Sequence, residues 1–322
     1  MKAKFIESLK EYIEKSSISE NDKADLLKRL FLLDEKKVNL LITGATGCGK
    51  SSTINALFET EVAKVGCGAN PETMEIEKYN LKNLILWDSP GLGDGIEADN
   101  RHAKNIINKL TEKDSEGNLL IDLVLVILDG SSRDLGTSYE LINRVVLPNI
   151  GNDPKRILVA INQADMAMKG RSWNHEKNCP EPELEKFLKE KVESVKKRIK
   201  DGTGVDVEPI YYSAGYKDGD NVQEAPYNLT KLLYYIVQNT SKEKRSAYID
   251  NIRRDENVWK HDDGEKNYRA ETAETLIDSV VSGAKAGAAI GSVIPGVGTA
   301  AGAAVGAVVG FAKKIFGGFF GW

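Results

Sequence analysis

The chain has 322 residues, of which 41% are hydrophobic and 29% charged, and its formal net charge is −4. This size suits one medium-sized domain with additions, or two domains, and the charge balance is that of a soluble globular protein. The slightly acidic balance argues against a dedicated nucleic-acid binder, and three cysteines (Cys48, Cys67 and Cys179) argue against a disulfide-stapled secreted fold. The charged N-terminus lacks the apolar run of a signal peptide, so we expect a cytoplasmic protein.

The N-terminal segment, residues 1–37, is predicted to form two short helices. Apolar residues recur at helical spacing from Phe5 to Ile13 and indicate the first helix. Ser19, with Asp22 three positions later, resembles a capping box at the start of the second helix. We expect this pair to pack against the following domain rather than to act as a binding arm.

The next region, residues 38–240, alternates strand-like and helix-like runs. The strand candidates are short, apolar and mostly β-branched, without polar alternation, which is typical of strands buried on both faces of a parallel sheet. They lie at 38–43, 84–87, 120–128, 157–161 and 209–212, and helix candidates lie between them at 51–58, 99–113, 135–147, 181–200 and 228–239. The pattern predicts an α/β domain with a doubly wound, mainly parallel sheet, in which ligands bind beyond the carboxyl ends of the strands.

The first strand candidate leads directly into residues 44–51 (GATGCGKS), which match the phosphate-binding loop G-x-x-x-x-G-K-[ST] between a strand and a helix. Glycines allow backbone N–H groups to turn toward a phosphate without a side-chain clash. Lys50 is predicted to pair with the β- and γ-phosphates, and Ser51 to ligate Mg²⁺. The predicted nucleotide contacts of this loop are Gly44, Ala45, Thr46, Gly47, Cys48, Gly49, Lys50, Ser51 and Ser52.

Asp88 and Gly91 form the motif D-x-x-G after the strand candidate at 84–87. In P-loop nucleotide hydrolases an Asp in this place holds the Mg²⁺ shell, and the Gly amide meets the γ-phosphate. Loss of that contact on hydrolysis would release residues 92–100 as a switch. An ordinary strand-to-loop turn is the alternative for this motif taken alone.

A third motif, Asn162, Gln163 and Asp165, follows the strand candidate at 157–161. The carboxylate of Asp165 can accept both the N1–H and the amino hydrogens of guanine, whereas adenine would leave it unpaired. Ser213 and Ala214 follow the last strand candidate, where a backbone N–H could meet guanine O6. Taken singly, these residues are equally compatible with a helix cap and a turn.

In their order along the chain, the four motifs resemble those of the translation-factor-related (TRAFAC) GTPases. The sequence GKSSTIN at 49–55 also resembles the Era-like, septin-related and immunity-related branches. The resemblance implies bound GTP or GDP, Mg²⁺ as cofactor, slow GTP hydrolysis in which Lys50 has a catalytic role, and two switch loops. It also implies nucleotide-dependent dimerisation across the face of the domain.

Three positions depart from the family pattern. Gln163 replaces the usual Lys of the guanine motif, whose stem packs on the base. A Gln side chain can still cover the face of the ring, so we expect weaker affinity with retained specificity. Leu92 stands where Ras-like members carry the Gln that orients the attacking water, and Gly47 stands where potassium-activated relatives carry Asn. Low intrinsic turnover, raised by self-association or by a partner, is the expected result.

The first switch loop of these enzymes normally contributes a threonine whose hydroxyl ligates Mg²⁺. We assign this catalytic and metal-binding role to Thr73, because it precedes a strand-like run at 76–79, with Thr60 as the alternative. The predicted metal ligands are therefore Ser51, Thr73 and Asp88.

The C-terminal part divides into a charged stretch, residues 241–275, predicted to be a helical connector, and a Gly/Ala-rich tail, residues 276–322. No charged residue occurs between Ala286 and Ala312, a stretch that as one helix would extend ~40 Å, beyond the ~30 Å core of a bilayer. Pro295 is expected to break it into a helical hairpin. Glycines repeat every four residues, as in glycine-zipper pairs of membrane helices, at 283, 287 and 291 and at 298, 302, 306 and 310. A soluble hairpin or a flexible tail is the alternative.

The whole sequence predicts a GTP-binding switch protein with slow Mg²⁺-dependent hydrolysis, associated through its tail with the cytoplasmic face of a membrane. The predicted partners are a second copy of the chain and a lipid bilayer contacted by residues 276–322, and no dedicated nucleic-acid site is evident. A membrane-active protein (pore-forming or remodelling) gated by nucleotide, and a soluble P-loop ATPase or assembly GTPase, are the alternatives.

Overall fold

Residues 5–17, 19–58, 75–151, 153–218 and 221–285, together with Gly310, are described by the computed structural model. The α-helices are α1 (Phe5–Lys15), α2 (Glu20–Asp34), α3 (Lys50–Leu57), α4 (Ile96–Thr111), α5 (Gly136–Glu140), α6 (Pro182–Thr203), α7 (Leu229–Asn239) and α8 (Tyr268–Lys285). The strands are β1 (Val38–Gly44), β2 (Glu77–Leu81), β3 (Leu84–Asp88), β4 (Leu123–Asp129), β5 (Ile157–Asn162), β6 (Trp173–Asn174), β7 (Cys179–Pro180), β8 (Ile210–Tyr211), β9 (Tyr216–Asp218) and β10 (Asn221–Glu224).

A six-stranded sheet with the order β2-β3-β1-β4-β5-β8 forms the centre of the fold. The strands β3, β1, β4, β5 and β8 are parallel, and β2 is antiparallel to β3 at one edge. Every residue of β1 and β5 is buried, because a hydrophobic core lies on each face of the sheet. The predicted α/β class with a mainly parallel, doubly wound sheet is confirmed.

The register of the strands decides where the loops of the site begin. Ile42 of β1 lies opposite Asp88 of β3, and Asp129 of β4 lies opposite Asn162 of β5. Since these strands are parallel, the loops that follow them leave from the same carboxyl edge of the sheet. The phosphate-binding loop after β1 therefore lies between the loops that carry the other two motifs.

The helix predicted at 135–147 is less regular than expected. Its α-helical part, α5, ends after five residues and continues as a π-helical turn, Leu141–Val146, and a 3-10 turn, Leu147–Asn149. Pro148 lies in the last turn, and proline has no N–H with which to continue α-helical hydrogen bonding.

The N-terminal helices pack on the sheet together with α8. Leu9 of α1, Leu30 of α2 and Leu276 of α8 are fully buried in one hydrophobic core with residues of β1 and β3. The hydroxyl oxygen of Ser19 accepts the N–H of Asp22 at 3.2 Å, as the capping-box pattern predicts. The expected packing of the N-terminal pair against the domain is therefore confirmed.

Helix α8 crosses the predicted boundary between connector and tail at residues 275 and 276. Leu276 is fully buried, and Gly283 lies so close to α2 that a Cβ atom there would be 3.0 Å from the side chain of Leu33. The glycine at 283, placed above in a membrane hairpin, is thus used in helix packing inside the protein. The connector also buries large side chains, since Tyr248 and Trp259 lie in the core.

The remainder of the predicted hairpin, residues 286–322, lies outside the described residues except for Gly310. The glycine-zipper arrangement therefore stays a prediction. Among the helices of the described ranges, none has the length and apolar character that crossing a membrane requires.

Replacement of Leu276 by alanine tests whether α8 belongs to the folded core. We expect Leu276→Ala to lower the free energy of unfolding by ~2–5 kcal/mol, because it leaves a cavity between α8 and the core. The exposed Glu274 on the same helix provides the control, and Glu274→Ala should change stability by less than ~0.5 kcal/mol. Urea unfolding followed by circular dichroism measures both variants, and equal stabilities would show that α8 is not docked.

Candidate functional site

The phosphate-binding loop, residues 44–51, joins β1 to α3 and passes close to the neighbouring strands. Gly49 has a φ of +89°, in the left-handed region, and a Cβ atom there would lie 2.2 Å from Nδ2 of Asn162. A Cβ atom at Gly44 would lie 2.2 Å from the carbonyl oxygen of Ile127 on β4. Both positions require glycine because the backbone approaches other atoms more closely than any side chain permits.

Lys50 folds back under this loop. Its side chain is buried, and its Nζ atom donates to the carbonyl oxygens of Ala45 at 3.1 Å and Gly44 at 3.4 Å. Its hydrogen-bond partners among the described residues are therefore neutral carbonyl groups. A lysine beneath a glycine-rich loop is an arrangement that can bind an anion such as a phosphate group.

Ser51 and Asp88 meet at the base of the loop. The Ser51 hydroxyl donates to Oδ2 of Asp88 at 2.9 Å, and the Asp88 carboxylate is fully buried. Within the described part of the chain, its Oδ1 atom has no hydrogen-bond partner. Burial raises the pKa of Asp88 to about 6, against the opposing effects of the Ser51 hydrogen bond and the Lys50 charge.

The Ser51–Asp88 pair fits a magnesium ion. Mg²⁺ prefers oxygen ligands and binds through one or two protein oxygens together with substrate phosphates. A buried carboxylate oxygen without a donor, beside a hydroxyl group, provides such ligands. Ser51 and Asp88 are thus the described residues that would hold the ion, and the charge of the ion would offset the cost of burying Asp88.

Asn162 connects the phosphate-binding loop to the loop that follows β8. Its Nδ2 atom donates to the carbonyl oxygen of Cys48 at 2.9 Å, and its Oδ1 atom accepts the N–H of Ala214 at 3.0 Å. The Ala214 N–H, one of the groups expected to meet guanine O6, is therefore engaged with Asn162. The amide of Asn162 holds two loops of the site in one position.

Gln163 makes a second connection to the phosphate-binding loop. Its Nε2 atom donates to the carbonyl oxygen of Gly47 at 2.8 Å, and its backbone lies in the left-handed region with a φ of +59°. The sequence alone suggested that this side chain covers the face of a base. The observed contact places its amide against the loop instead.

Asp165 follows in the 3-10 segment Ala164–Gly170, next to the end of β8. The N–H of Ala164 donates to the carbonyl oxygen of Tyr212 at 3.1 Å, which sets the Asp165 loop beside Ser213. The hydroxyl oxygen of Ser213 accepts the N–H of Gly215 at 3.2 Å. The two loops assigned to base recognition are therefore neighbours, as their positions after strands predict.

Two residues of the site were missed by sequence analysis. The hydroxyl of Thr53 donates to the carbonyl oxygen of Gly49 at 2.7 Å and lies 2.7 Å from the hydroxyl of Tyr212. Tyr212 is fully buried, so this pair braces the phosphate-binding loop against the end of β8 from inside the protein. The position of Thr53 one turn into α3 was a usable signal, whereas no pattern indicated Tyr212.

The segment after Asp88 lies directly on the phosphate-binding loop. A Cβ atom at Gly91 would be 2.5 Å from the backbone N of Thr46, and Nδ1 of His102 lies 3.0 Å from the Gly91 carbonyl oxygen. Leu92 is buried, and its carbonyl oxygen accepts the N–H of Thr46 at 2.9 Å. Leu92 therefore docks the segment onto the loop, and its apolar side chain has no group that could orient a water molecule.

Of the remaining predicted contacts, the structure describes Ser52 but not the threonine of the first switch. Ser52 lies in the first turn of α3, directly after Ser51. Thr73 and its alternative Thr60 lie outside the described residues, so the threonine of the first switch stays a prediction.

Comparison with known proteins places a GTPase domain over this site. Residues 39–163 match the family model described as 50S ribosome-binding GTPase. The chain is 38% identical over 76 residues to interferon-inducible GTPase 1 of Mus musculus, which aligns 22% of this chain with 18% of that protein. It is 32% identical over 102 residues to translocase of chloroplast 108 of Physcomitrium patens, which aligns 30% of this chain with 10% of that protein. The chain thus spans less than a fifth of either relative.

Among solved structures, the chain resembles Toc33 from Arabidopsis thaliana in complex with Mg²⁺ and GMPPNP. The sequence identity is 16%, the TM-score is 0.43, and the match covers 75% of this chain and 98% of that chain.

The family match and the fold agree on one assignment. Residues 39–163 contain the phosphate-binding loop, Asp88, Gly91 and Asn162, and they form a P-loop GTPase domain of the TRAFAC type. The predicted class of the domain is confirmed. The branch within that class (Era-like, septin-related or immunity-related) stays a prediction.

Substitution of Asp88 tests the cost of its buried charge. The raised pKa means that the folded protein takes up a proton more readily than the unfolded chain, so ionisation of Asp88 lowers stability as pH rises from about 4 to about 6. We expect Asp88→Asn to raise the free energy of unfolding of the nucleotide-free protein by about 1–3 kcal/mol at neutral pH. The gain should vanish below about pH 4, where the aspartate is protonated in both states.

Urea unfolding in the presence of a chelator, repeated across this pH range, measures the effect. A gain of equal size at every pH would show that the charge of Asp88 is not the cause.

Proposed function

We propose that this protein binds guanine nucleotides with Mg²⁺ and acts as a switch that hydrolyses GTP slowly. The observation that carries the proposal is the Asn162 bridge. Its amide joins the Cys48 carbonyl group of the phosphate-binding loop to the Ala214 N–H of the last loop. One side chain thus holds the phosphate cradle and the base-recognition loops as a single cleft.

Each end of the cleft has a chemical task in this proposal. Lys50 pairs with the phosphates, while Ser51 and Asp88 hold the magnesium ion, which neutralises phosphate charge when bound. Asp165 reads the N1–H and amino group of guanine, and the braced loop at Ser213 closes the site around the base. Recognition by a carboxylate excludes adenine, because a buried acceptor would lose its hydrogen bonds.

Slow hydrolysis follows from Leu92. The residue after Asp-x-x-Gly orients the attacking water in Ras-like enzymes, and here it is a buried leucine hydrogen-bonded to Thr46 through its backbone. The water must then be oriented by a group from another part of the chain or from a partner. A second copy across the nucleotide-binding face is the partner that the sequence resemblance suggests.

Nucleotide competition tests the proposal. We expect GTP and GDP, but not ATP, to displace a fluorescent guanine nucleotide from the full chain in the presence of Mg²⁺. The Asp165→Asn variant should bind a fluorescent xanthine nucleotide more tightly than the fluorescent guanine nucleotide, because the amide donates where the carboxylate accepts.

The exposed Glu176 lies, like Asp165, between β5 and α6 and provides a matched control. The Glu176→Gln variant should keep the guanine preference. Equal displacement by ATP would exclude guanine recognition, and the absence of any binding would contradict the nucleotide site itself.

Membrane contact through the tail is a second part of the proposed function. Gly283, near the end of the described part of α8, lies against Leu33 of α2, and two exposed apolar residues directly precede Leu33 in the sequence. Phe31 and Leu32, two neighbouring large apolar side chains, are 58% and 55% exposed. The uncharged residues from 286 to 312 follow directly, and together these features favour a lipid surface as the partner.

Truncation after Lys285 tests this second part and keeps the whole of α8. We expect the full chain to sediment with liposomes and the truncated chain to remain in solution, with its affinity for guanine nucleotides unchanged. Equal sedimentation of both chains would assign the lipid contact elsewhere, and no sedimentation of the full chain would contradict it. Nucleotide-dependent release of a trapped dye would favour the membrane-active alternative over a simple anchor.

A further inference from the structure

The loop from Gly93 to Gly95 presents an aspartate to the phosphate-binding loop. Gly93 and Gly95 have φ values of +113° and +111°, a conformation that L side chains rarely adopt, so the chain turns sharply on both sides of Asp94. The Oδ1 atom of Asp99 accepts the N–H groups of Gly93 at 2.8 Å and of Asp94 at 3.2 Å. The position of Asp94 is therefore built into the loop.

Asp94 is directly bonded to the phosphate-binding loop. The hydroxyl of Thr46 donates to Oδ2 of Asp94 at 3.0 Å. The backbone N–H of Thr46 donates to the Leu92 carbonyl oxygen at 2.9 Å, and the N–H of Leu92 points to the Gly44 carbonyl oxygen at 3.4 Å. Both donors of Thr46 are thus occupied by the segment that follows Asp-x-x-Gly, and we call this set of contacts the Thr46 latch.

The latch carries a net negative charge at the phosphate site. The carboxylate of Asp94 is exposed, and within the described part of the chain no lysine or arginine forms a salt bridge with it. Lys50, the cation of the site, is directed to the carbonyl groups of Gly44 and Ala45. A phosphate group added beyond the β-phosphate would bring further negative charge into the same loop, and like charges at close range repel.

We propose that Asp94 is a specificity-determining residue that favours a nucleoside diphosphate over a nucleoside triphosphate through the Thr46 latch. The inference rests on the proposed function, since it concerns the choice between two ligands of that site. A diphosphate leaves the latch closed. A triphosphate binds against the Asp94 charge and requires the Thr46 donors to separate from Leu92 and Asp94.

The contact between His102 and Gly91 does not belong to the Thr46 latch. His102 of α4 lies 3.0 Å from the Gly91 carbonyl oxygen through Nδ1, and it is buried. This contact positions the Gly91–Leu92 peptide without involving the side chain of Asp94. The discrimination is therefore assigned to the carboxylate of Asp94 and not to the position of the loop.

The substitution Asp94→Asn separates charge from shape, because the amide keeps an oxygen that accepts the Thr46 hydroxyl. Competition of GTP and of GDP against a fluorescent guanine nucleotide on the full chain with Mg²⁺ gives the ratio of their Kd values. We expect this ratio, GTP over GDP, to fall about three- to tenfold in the variant, the size of one like-charge interaction screened by water, because Asp94 is exposed. The Kd of GDP should change little, and high salt should reduce the wild-type preference.

Glu97→Gln is the matched control, because Glu97 is an exposed acid in the first turn of α4 that makes no contact with the phosphate-binding loop. Its ratio should equal that of the wild type. An unchanged ratio in Asp94→Asn, with both nucleotides still bound, overturns the inference and leaves the proposed function intact. Equal weakening of GTP and GDP also overturns it, because Asp94 would then only hold the loop. Failure of the wild type to bind either nucleotide rejects the proposed function and this inference together.

Discussion

The amide group of Asn162 is the interaction on which the rest of the site depends. It donates to Cys48 and accepts from Ala214, so that loops after β1, β5 and β8 hold fixed positions relative to one another. Gly49 must be a glycine because the Asn162 amide occupies the space of its Cβ atom. The buried pair of Thr53 and Tyr212 forms a second connection between the phosphate-binding loop and the end of β8. The cleft is therefore preorganised by hydrogen bonds inside the protein, which lowers the cost of ordering it on binding.

Two charged side chains near Asn162, those of Asp88 and Lys50, have no oppositely charged hydrogen-bond partner among the described residues. A bound ligand could supply one. Asp88 is buried with one unpaired oxygen, and its raised pKa is the sign that its charge is poorly compensated. Lys50 sits under the loop with only carbonyl groups as hydrogen-bond partners. A cation beside Asp88 and an anion beside Lys50 would satisfy both. Proteins commonly accept such a loss of stability where a site binds charged ligands.

The helices outside the GTPase domain pack against it and share its hydrophobic core. The N-terminal pair α1 and α2 and the C-terminal helix α8 share a hydrophobic core with β1 and β3, although they lie at opposite ends of the described chain. Gly283 belongs to this packing and also begins the glycine repeat of the tail. Residues 286–322 therefore follow a helix that packs on the domain, and a movement of α8 would change its contact with α2.

The sequence by itself determined the fold class, the positions of the main strands along the chain and the phosphate-binding loop. Those features depend on local pattern: unalternating apolar runs for buried parallel strands, and glycines at fixed spacing before a lysine and a serine. The sequence did not reveal the hydrogen bonds of Gln163 and Ala214. These bonds depend on the strand register, which decides how distant loops are placed relative to one another. The same holds for Tyr212, for the Thr46–Asp94 contact and for the burial of Leu276. A hydrogen bond between residues many positions apart leaves no periodic trace in the chain, and only the tertiary structure decides it.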